Sequence, residues 1–378
     1  MSADLVDRVR RRLIGGGADA SPAAVAHAVR AEVGVVGDAD VMSALALLRQ
    51  EFVGAGPLDP LLRDSGTTDV LVTGPDQVWV DGATGLRRTA VRFPDEDAVR
   101  RLAQRLAMAA GRRLDDAQPH VDGWLPGGQV RLHAVLPPIA EHTCVSLRVL
   151  RQANHRLADL QALGTFSAEV HQLLAAIISA RLAFLVTGGT GAGKSTLLAA
   201  LLAVVPLGER IVCVEDAGEL HPDHPQFIRL VSRPPNIEGA GEITLRDLVR
   251  QGLRMRPDRI VVGEVRGAEV IDLLASLNTG HDGGAGTVHA NSPQELPARL
   301  EALAALGGLD RLALHSQLAA AVHLVLHMRR DPTPTLSEIA VLTRSHTTVT
   351  TQTVWHNGTW TDRPALAALL ASRGVSWS

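Results

Sequence analysis

Several residue types are scarce in this chain of 378 residues, and each scarcity excludes a class of protein. Tyrosine is absent and phenylalanine occurs five times, which argues against an aromatic platform for stacking single-stranded nucleic acid. The net charge of −3 and the pI near 6.6 offer no basic surface for nucleic acid. The two cysteines, Cys144 and Cys213, lie far apart in apolar surroundings, which is typical of a reduced cytosolic protein. We therefore expect a cytoplasmic protein without a direct nucleic-acid partner.

Long hydrophobic runs are also missing. The longest apolar stretches, residues 173–186 and 197–207, are interrupted by Arg181 or fall short of the roughly 20 residues that span a bilayer. The first residues lack the apolar core and cleavage site of a secretory signal. Any association with the inner face of the cytoplasmic membrane is therefore expected to be peripheral.

Lysine is the scarcest basic residue. Of the 37 Lys and Arg residues, only Lys194 is a lysine. Codon bias towards arginine explains the general scarcity but not the one lysine that remains. A compact ammonium group fits against phosphates inside a tight backbone loop, where a planar guanidinium is too wide.

The sequence around this lysine is GGTGAGKST, which fits the phosphate-binding pattern G-x-x-x-x-G-K-[ST]. It follows an apolar run typical of a strand and precedes a helical pattern, which is the context this loop requires. Backbone N–H groups of such a loop bind phosphates, the lysine reaches the β and γ phosphates, and Ser195 ligates Mg²⁺. The alternative is a glycine-rich turn without a ligand. The predicted nucleotide-binding residues are Gly188, Gly189, Thr190, Gly191, Ala192, Gly193, Lys194, Ser195 and Thr196.

The hydrophobic pattern divides the chain into four parts. Residues 1–54 are predicted to form short helices. Residues 55–151 are predicted to form a small α+β domain with one helix, Asp95 to Gly111, and five short strands: TDVLVTG, QVWVDG, RTAVRF, VRLHAVLPP and TCVSLRVL. Residues 152–164 are predicted to be a linker. From 165 to 378, helices, one of them from Ala268 to Leu277, alternate with strands. The strands are predicted at 182–187, 210–215, 227–231, 260–264 and 285–289, and their continuous apolar runs indicate burial on both faces, hence a mostly parallel sheet. The segment from Thr348 to Trp360 is expected to be a hairpin.

Acidic residues follow two of the apolar strands. Glu264 ends RIVVGE, and Glu215, Asp216 and Glu219 form the EDAGE cluster after IVCVE. Ligands bind at the carboxyl edge of open α/β sheets, so these acids are candidates for holding metal and orienting water.

Two histidines, His281 and His289, lie eight residues apart in a glycine-rich segment. This is not a zinc-ligand spacing. We favour a phosphate sensor or a hydrogen-bond relay, because imidazole can donate to a γ-phosphate.

Five blocks in order resemble the secretion and pilus-assembly ATPases of the type II/type IV superfamily, most closely the Tad/Flp pilus branch. After GAGPLDPLLRD and TDVLVTGPDQVWV in the first domain, the blocks GRRLDDAQPHVDGWLPGGQVRLHAVLPP, GGTGAGKST, VEDAGEL, LRMRPDRIVVGEVRG and GHDGGAGTVHANSP follow in the family's order. The resemblance covers nearly the whole chain after about Phe52. It implies a RecA-like P-loop ATPase domain with a mostly parallel sheet, after a smaller α+β domain and N-terminal helices.

The resemblance also assigns roles to individual residues. It implies that Glu264 is the Walker-B acid that polarises water and, with Ser195, holds Mg²⁺, with Arg266 beside it. Glu215, Asp216 and Glu219 would form the Asp box, and His281 and His289 the His box. Three arginines would contact the nucleotide phosphates, unless they are surface residues paired with carboxylates: Arg131, Arg148 and Arg254.

The expected function is that of a homohexameric ATPase that binds ATP and Mg²⁺. It would dock on an inner-membrane platform protein and power pilus assembly or secretion. One alternative is a nucleotide-gated scaffold that hardly hydrolyses ATP, for which a damaged acid would be expected; Glu215, Asp216 and Glu264 are all present. Another is the motor of a DNA conjugal transfer system. No LSGGQ-like signature of ABC transporters occurs.

Overall fold

The computed structural model describes residues 54–82, 84–150, 155–235 and 239–377, together with Ala31. The chain divides into two compact units, Met1–Arg151 and Gln152–Ser378. The helices predicted for residues 1–54 fall, except for Ala31 and Gly54, outside the described residues. Part of the predicted linker, Leu157–Ala162, is a helix, α3, which belongs to the second unit.

The first unit contains a six-stranded antiparallel sheet in the order β3-β2-β1-β6-β5-β4. Its strands are β1 Thr67–Val72, β2 Val78–Gly82, β3 Arg87–Arg88, β4 His120–Trp124, β5 Val130–Val135 and β6 Cys144–Val149. A short helix α1, Asp59–Arg63, precedes β1, and helix α2, Glu96–Ala109, lies between β3 and β4. This is the α+β domain expected from the sequence.

Helix α2 is amphipathic and packs into the core of this unit. It begins where Asp95 accepts a hydrogen bond from the backbone N–H of Ala98 at 2.7 Å, which satisfies one of the N–H groups left over at a helix start. Its buried side chains share one core cluster with Leu132 and Leu147 of the sheet. They are Val99, Leu102, Ala103, Leu106 and Ala107.

The second unit is built on a nine-stranded sheet in the order β15-β14-β13-β12-β7-β11-β10-β8-β9. Its strands are β7 Phe184–Gly188, β8 Ile211–Glu215, β9 Phe227–Val231, β10 Arg259–Val265, β11 Ala285–Val288, β12 Leu324–Arg330, β13 Pro334–Ser345, β14 Thr348–His356 and β15 Thr359–Trp360. The six strands from β12 to β9 run parallel, and β13, β14 and β15 add an antiparallel extension. The mostly parallel sheet is therefore confirmed, and β14 and β15 form the expected hairpin.

Helices of the second unit cover both faces of this sheet. They are α3 Leu157–Ala162, α4 Ala168–Ser179, α5 Lys194–Leu202, α6 Leu245–Gly252, α7 Glu269–Leu277, α8 Leu296–Leu306, α9 Arg311–Ala321 and α10 Arg363–Ala371. Successive residues of β7 belong to different core clusters: Phe184 and Val186 pack with α4 and α5, whereas Leu185 packs with α6 and α7. Burial on both faces explains the continuous apolar runs of the central strands.

Candidate nucleotide site

The glycine-rich segment forms a loop between β7 and α5. Gly188, Gly191 and Gly193 have φ values of 145°, 69° and 92°, which side-chain-bearing residues rarely adopt. A β-carbon on Gly188 would also lie 2.3 Å from the carbonyl oxygen of Met328 on β12. The loop therefore requires glycine for backbone conformation and for space. Alternating backbone conformations of this kind form concave anion-binding surfaces.

Lys194 is the first residue of α5 and is buried, with 8% of its surface exposed. Its Nζ donates hydrogen bonds to the carbonyl oxygens of Gly188 at 3.0 Å and Gly189 at 2.7 Å. Burial lowers the pKa of the ammonium group, and the Glu264 carboxylate partly offsets this. The loop's own carbonyls thus hold a desolvated cation, which retains a third N–H to donate. Ser195 and Thr196, both partly buried, follow in the first turn of α5.

Glu264 lies near the carboxyl end of β10, and His289 directly follows β11, the neighbouring parallel strand. The Nε2 of His289 is 2.7 Å from Oε1 of Glu264. The two atoms are close, but their arrangement does not meet the geometry of a hydrogen bond. Arg266 donates a hydrogen bond from its guanidinium to Oε2 of the same carboxylate. Burial, followed by the charge of Lys194, lowers the pKa of His289, so its imidazole is neutral at pH 7.

Glu215 ends β8 and is buried, with 3% of its surface exposed. Its Oε1 accepts hydrogen bonds from the backbone N–H groups of Glu219 at 3.1 Å and Leu220 at 3.0 Å. Its Oε2 is buried without a hydrogen-bond partner among the described residues. Burial is the main reason that the pKa of Glu215 rises to about 8. This carboxyl group therefore keeps its proton at pH 7.

The other two acids of the cluster are exposed. Asp216 accepts a hydrogen bond from the hydroxyl of Ser232 at 2.9 Å. The charge of Glu219 acts on Lys194, where it opposes the lowering of the pKa by burial. The EDAGE cluster thus consists of one buried, protonated acid and two solvated ones.

The raised pKa of Glu215 predicts a pH-dependent stability of the nucleotide-free protein. A carboxyl group whose pKa rises on folding contributes stability below its unfolded value near 4.5, and this stability is lost as the pH rises through about 8. We expect this loss to be absent in Glu215→Gln. The difference in unfolding free energy between the variant and the parent should therefore shift in favour of the variant by a few kcal/mol as the pH rises from about 5 to about 8.5. Denaturant titrations at several pH values measure this difference. Asp216→Asn, an exposed change in the next residue, is the matched control and should follow the parent profile; equal profiles for both variants would refute the assignment.

A carboxylate not singled out from the sequence fixes the turn after Glu264. Glu269, in the first turn of α7, is buried and accepts hydrogen bonds from the backbone N–H groups of Arg266 at 2.5 Å and Gly267 at 2.7 Å. Glu269 therefore fixes the backbone of the turn between β10 and α7, and this turn positions Glu264 and Arg266. The available signal was an acid at a predicted helix start, where the helix dipole favours negative charge.

His281 and Arg254 lie elsewhere in the second unit. His281 precedes the start of β11, with its Nδ1 3.1 Å from the carbonyl oxygen of Ser276, and Arg254 lies in a 3₁₀ turn before β10. Because β10 and β11 are parallel, their starts lie at the sheet edge opposite Glu264 and His289. The fold of this unit thus brings together Lys194, Glu264, Arg266 and His289 but not His281 or Arg254.

Arg131 and Arg148 lie directly opposite each other on β5 and β6 of the first unit. Arg131 forms a bidentate ion pair with Asp122, in which Nε donates to Oδ1 at 2.9 Å and Nη2 donates to Oδ2 at 2.5 Å. Arg148 donates to Asp69 at 2.9 Å. These residues line an open cavity of about 290 Å³ with His133 and Ser146. Two facing cations make this cavity a candidate anion site, in which a bound anion would compete with the two aspartates.

The chain is similar in sequence to proteins of secretion systems. A family model described as type II/IV secretion system protein matches residues 51–360. A Mycobacterium tuberculosis protein provisionally named a conjugal transfer protein is 63% identical over 349 residues, which cover 90% of this chain and 99% of the relative. The type IV secretion system protein VirB11 of Brucella suis is 30% identical over 263 residues, 62% of this chain and 72% of its own length.

Solved structures show the same fold. The ATPase DotB of Legionella pneumophila matches with a TM-score of 0.53 and 18% identity, over 76% of this chain and 80% of that one. Within the ranges that the structure describes, no helix is both long and apolar enough to cross a bilayer.

Proposed function

Because the chain belongs to the family of type II/IV secretion system proteins, we propose that it is an ATPase that powers pilus assembly or secretion at the inner membrane. The observation that carries this proposal is the convergence of one buried lysine in a phosphate-binding loop with Glu264, Arg266 and His289. All four lie at the carboxyl edge of the parallel strands, where open α/β sheets bind ligands. Lys194 and the loop would bind the phosphates of ATP.

The residues present also fit Mg²⁺. The Ser195 hydroxyl and the Glu264 carboxylate are hard oxygen donors, and Oε1 of Glu264 is buried outside hydrogen-bonding geometry. No cluster of three or more His, Cys, Asp or Glu side chains suited to a metal occurs among the residues described. Mg²⁺ needs no such cluster beside a nucleotide, since phosphates and waters complete its shell. When bound, it would neutralise phosphate charge; Ser195 and Glu264 would hold it, partly through water.

Hydrolysis would then proceed by in-line attack of water on the γ-phosphorus, giving ADP and inorganic phosphate. Glu264 would orient this water and accept its proton. Neutral His289 could donate a hydrogen bond to the γ-phosphate, and Arg266 would offset charge that develops there. Glu215, Asp216 and Glu219 would line the same edge as the Asp box.

The assembly that we propose is a cytoplasmic homohexamer at the inner face of the membrane, bound to a platform protein. Arg131 and Arg148 remain proposed phosphate ligands, on the strength of the resemblance and of their positive charge. Arg254 lies at the other edge of the sheet, so we propose that it contacts the phosphates of a nucleotide held by a neighbouring subunit. Movement of the two units about the segment near residues 152–164 would convert hydrolysis into work on the cargo.

The name of the 63% identical relative favours a second candidate, a motor for DNA conjugal transfer. In that case a partner would hold the DNA, since the net charge of −3 provides no basic surface. A scaffold that binds ATP without hydrolysing it is a further alternative, although Glu215, Asp216 and Glu264 are present.

Phosphate release by the purified full chain, measured together with its mass in solution, tests the proposal. We expect hydrolysis that requires both ATP and Mg²⁺ and stops with a chelator, in an assembly about six times the 40.0 kDa mass of one chain. Binding of ATP without phosphate release would favour the scaffold. Absence of both binding and release would overturn the proposal. Scoring pili and DNA transfer in a deletion strain would separate the two motor functions.

A further inference from the structure

The hairpin of β12 and β13 lies against the phosphate-binding loop. Strand β12 pairs with β7 in parallel, with Met328 opposite Gly188 at the start of the loop. Further along the loop, a β-carbon on Gly193 would lie 3.1 Å from Cβ of Pro334, the first residue of β13. Both ends of the glycine loop therefore contact this hairpin, which forms one wall of the loop.

Arg330 is the last residue of β12 and lies beside the middle of the loop. A β-carbon on Gly191 would be 3.5 Å from its Nη1, so the guanidinium lies beside the loop backbone. The side chain is exposed and forms no ion pair or hydrogen bond with the rest of the described chain. A guanidinium group without a carboxylate partner is thus held close to a loop built for phosphate.

We propose that Arg330 is a further nucleotide-binding residue, whose guanidinium contacts the polyphosphate of a nucleotide held in the loop. This inference rests on the proposed ATPase function. No ion pair has to be broken before Arg330 binds phosphate, unlike Arg131 and Arg148, which are paired with aspartates. A guanidinium group binds two phosphate oxygens in one plane, and Lys194 adds a second positive charge across the loop.

Arg329 provides a matched control. It is exposed at the same strand end, but adjacent residues of a strand point to opposite faces. Its charge acts on the buried His327, whose pKa it helps to lower. Removal of either arginine changes the net charge equally, so a difference between the two variants reports position and not overall charge.

The experiment is an equilibrium titration of the full chain with Mg²⁺ and an imido analogue of ATP, repeated with inorganic tripolyphosphate. We expect Arg330→Ala to weaken binding of the analogue by about tenfold or more, as loss of a hydrogen bond to a charged group does. Arg330→Lys should retain part of the affinity, because its point charge remains. Arg329→Ala should stay within about twofold of the parent. Melting temperatures within a few degrees of the parent would show that the variants are folded.

The results separate this inference from the function on which it rests. If the parent binds neither ligand, the proposed function and this inference both fail. If the parent binds and the two alanine variants have equal affinities, only the role of Arg330 is refuted. The proposed contact with the polyphosphate is also refuted if Arg330→Ala weakens binding of the nucleotide analogue but not binding of tripolyphosphate, since Arg330 would then contact the base or the ribose. A tenfold weakening of both ligands in Arg330→Ala alone supports the assignment.

Discussion

Glu264→Gln should leave ATP binding intact and lower turnover by about 100-fold or more, the usual contribution of a positioned general base. The amide preserves the size of the side chain but cannot accept the proton of water. It still offers an oxygen to Arg266, which donates to the carboxylate in the parent.

Single-turnover phosphate release and nucleotide titration measure the two effects separately. Glu169→Gln is a suitable control, because Glu169 lies on α4 and pairs with Arg363 of the C-terminal helix at 3.2 Å. It should hydrolyse ATP at the parent rate. Parent-like turnover in Glu264→Gln would mean that another group activates water, and loss of binding would mean that Glu264 acts mainly in holding the ligand.

The parallel core of the second unit could be predicted because burial on both faces leaves a direct mark on the sequence. Strands β7 and β8 are buried along their whole length, and their sequences FLVTG and IVCVE contain few polar residues. Strand β9 has the predicted bounds, Phe227–Val231. The site acids could be placed for the same reason, since they follow such strands directly.

Strands at the margins of the two sheets were harder to predict. Strand β4 reads HVDGW, and its mixture of polar and small residues has no clear period; it was not predicted. The segment RTAVRF was predicted as a strand, but only Arg88 of it lies in one, in the two-residue strand β3. Phe93 instead donates its backbone N–H to the carbonyl of Pro75, in a turn that depends on tertiary contacts.

The separation of the two histidines and the position of Arg330 could not be predicted from the sequence, because both depend on the tertiary structure. His281 and His289 belong to one sequence block, but the four-residue strand β11 lies between them and alone spans about 13 Å. They therefore lie at the two ends of β11, on opposite edges of the sheet. Arg330 is more than 130 positions from the loop in sequence, and only the pairing of β12 with β7 brings it there.

Lys194 is the residue on which the account depends most. Its ammonium group is buried and held by two carbonyls of the loop, and burial lowers its pKa, which increases the fraction of reactive free amine. A bound polyphosphate would have the opposite effect, because negative charge favours the ammonium form and the ligand covers the side chain. ATP should therefore protect this lysine from acylation.

The most direct measurement is the rate at which an amine-directed reagent modifies Lys194, the only lysine of the sequence, followed by mass spectrometry of its peptide. With Mg²⁺ and ATP at about a hundred times the dissociation constant, nearly all sites are occupied, and modification should slow by about tenfold or more. Glu264→Gln should show the same protection, because it retains binding. Equal rates of modification with and without ATP would contradict the assignment of this loop as a nucleotide site.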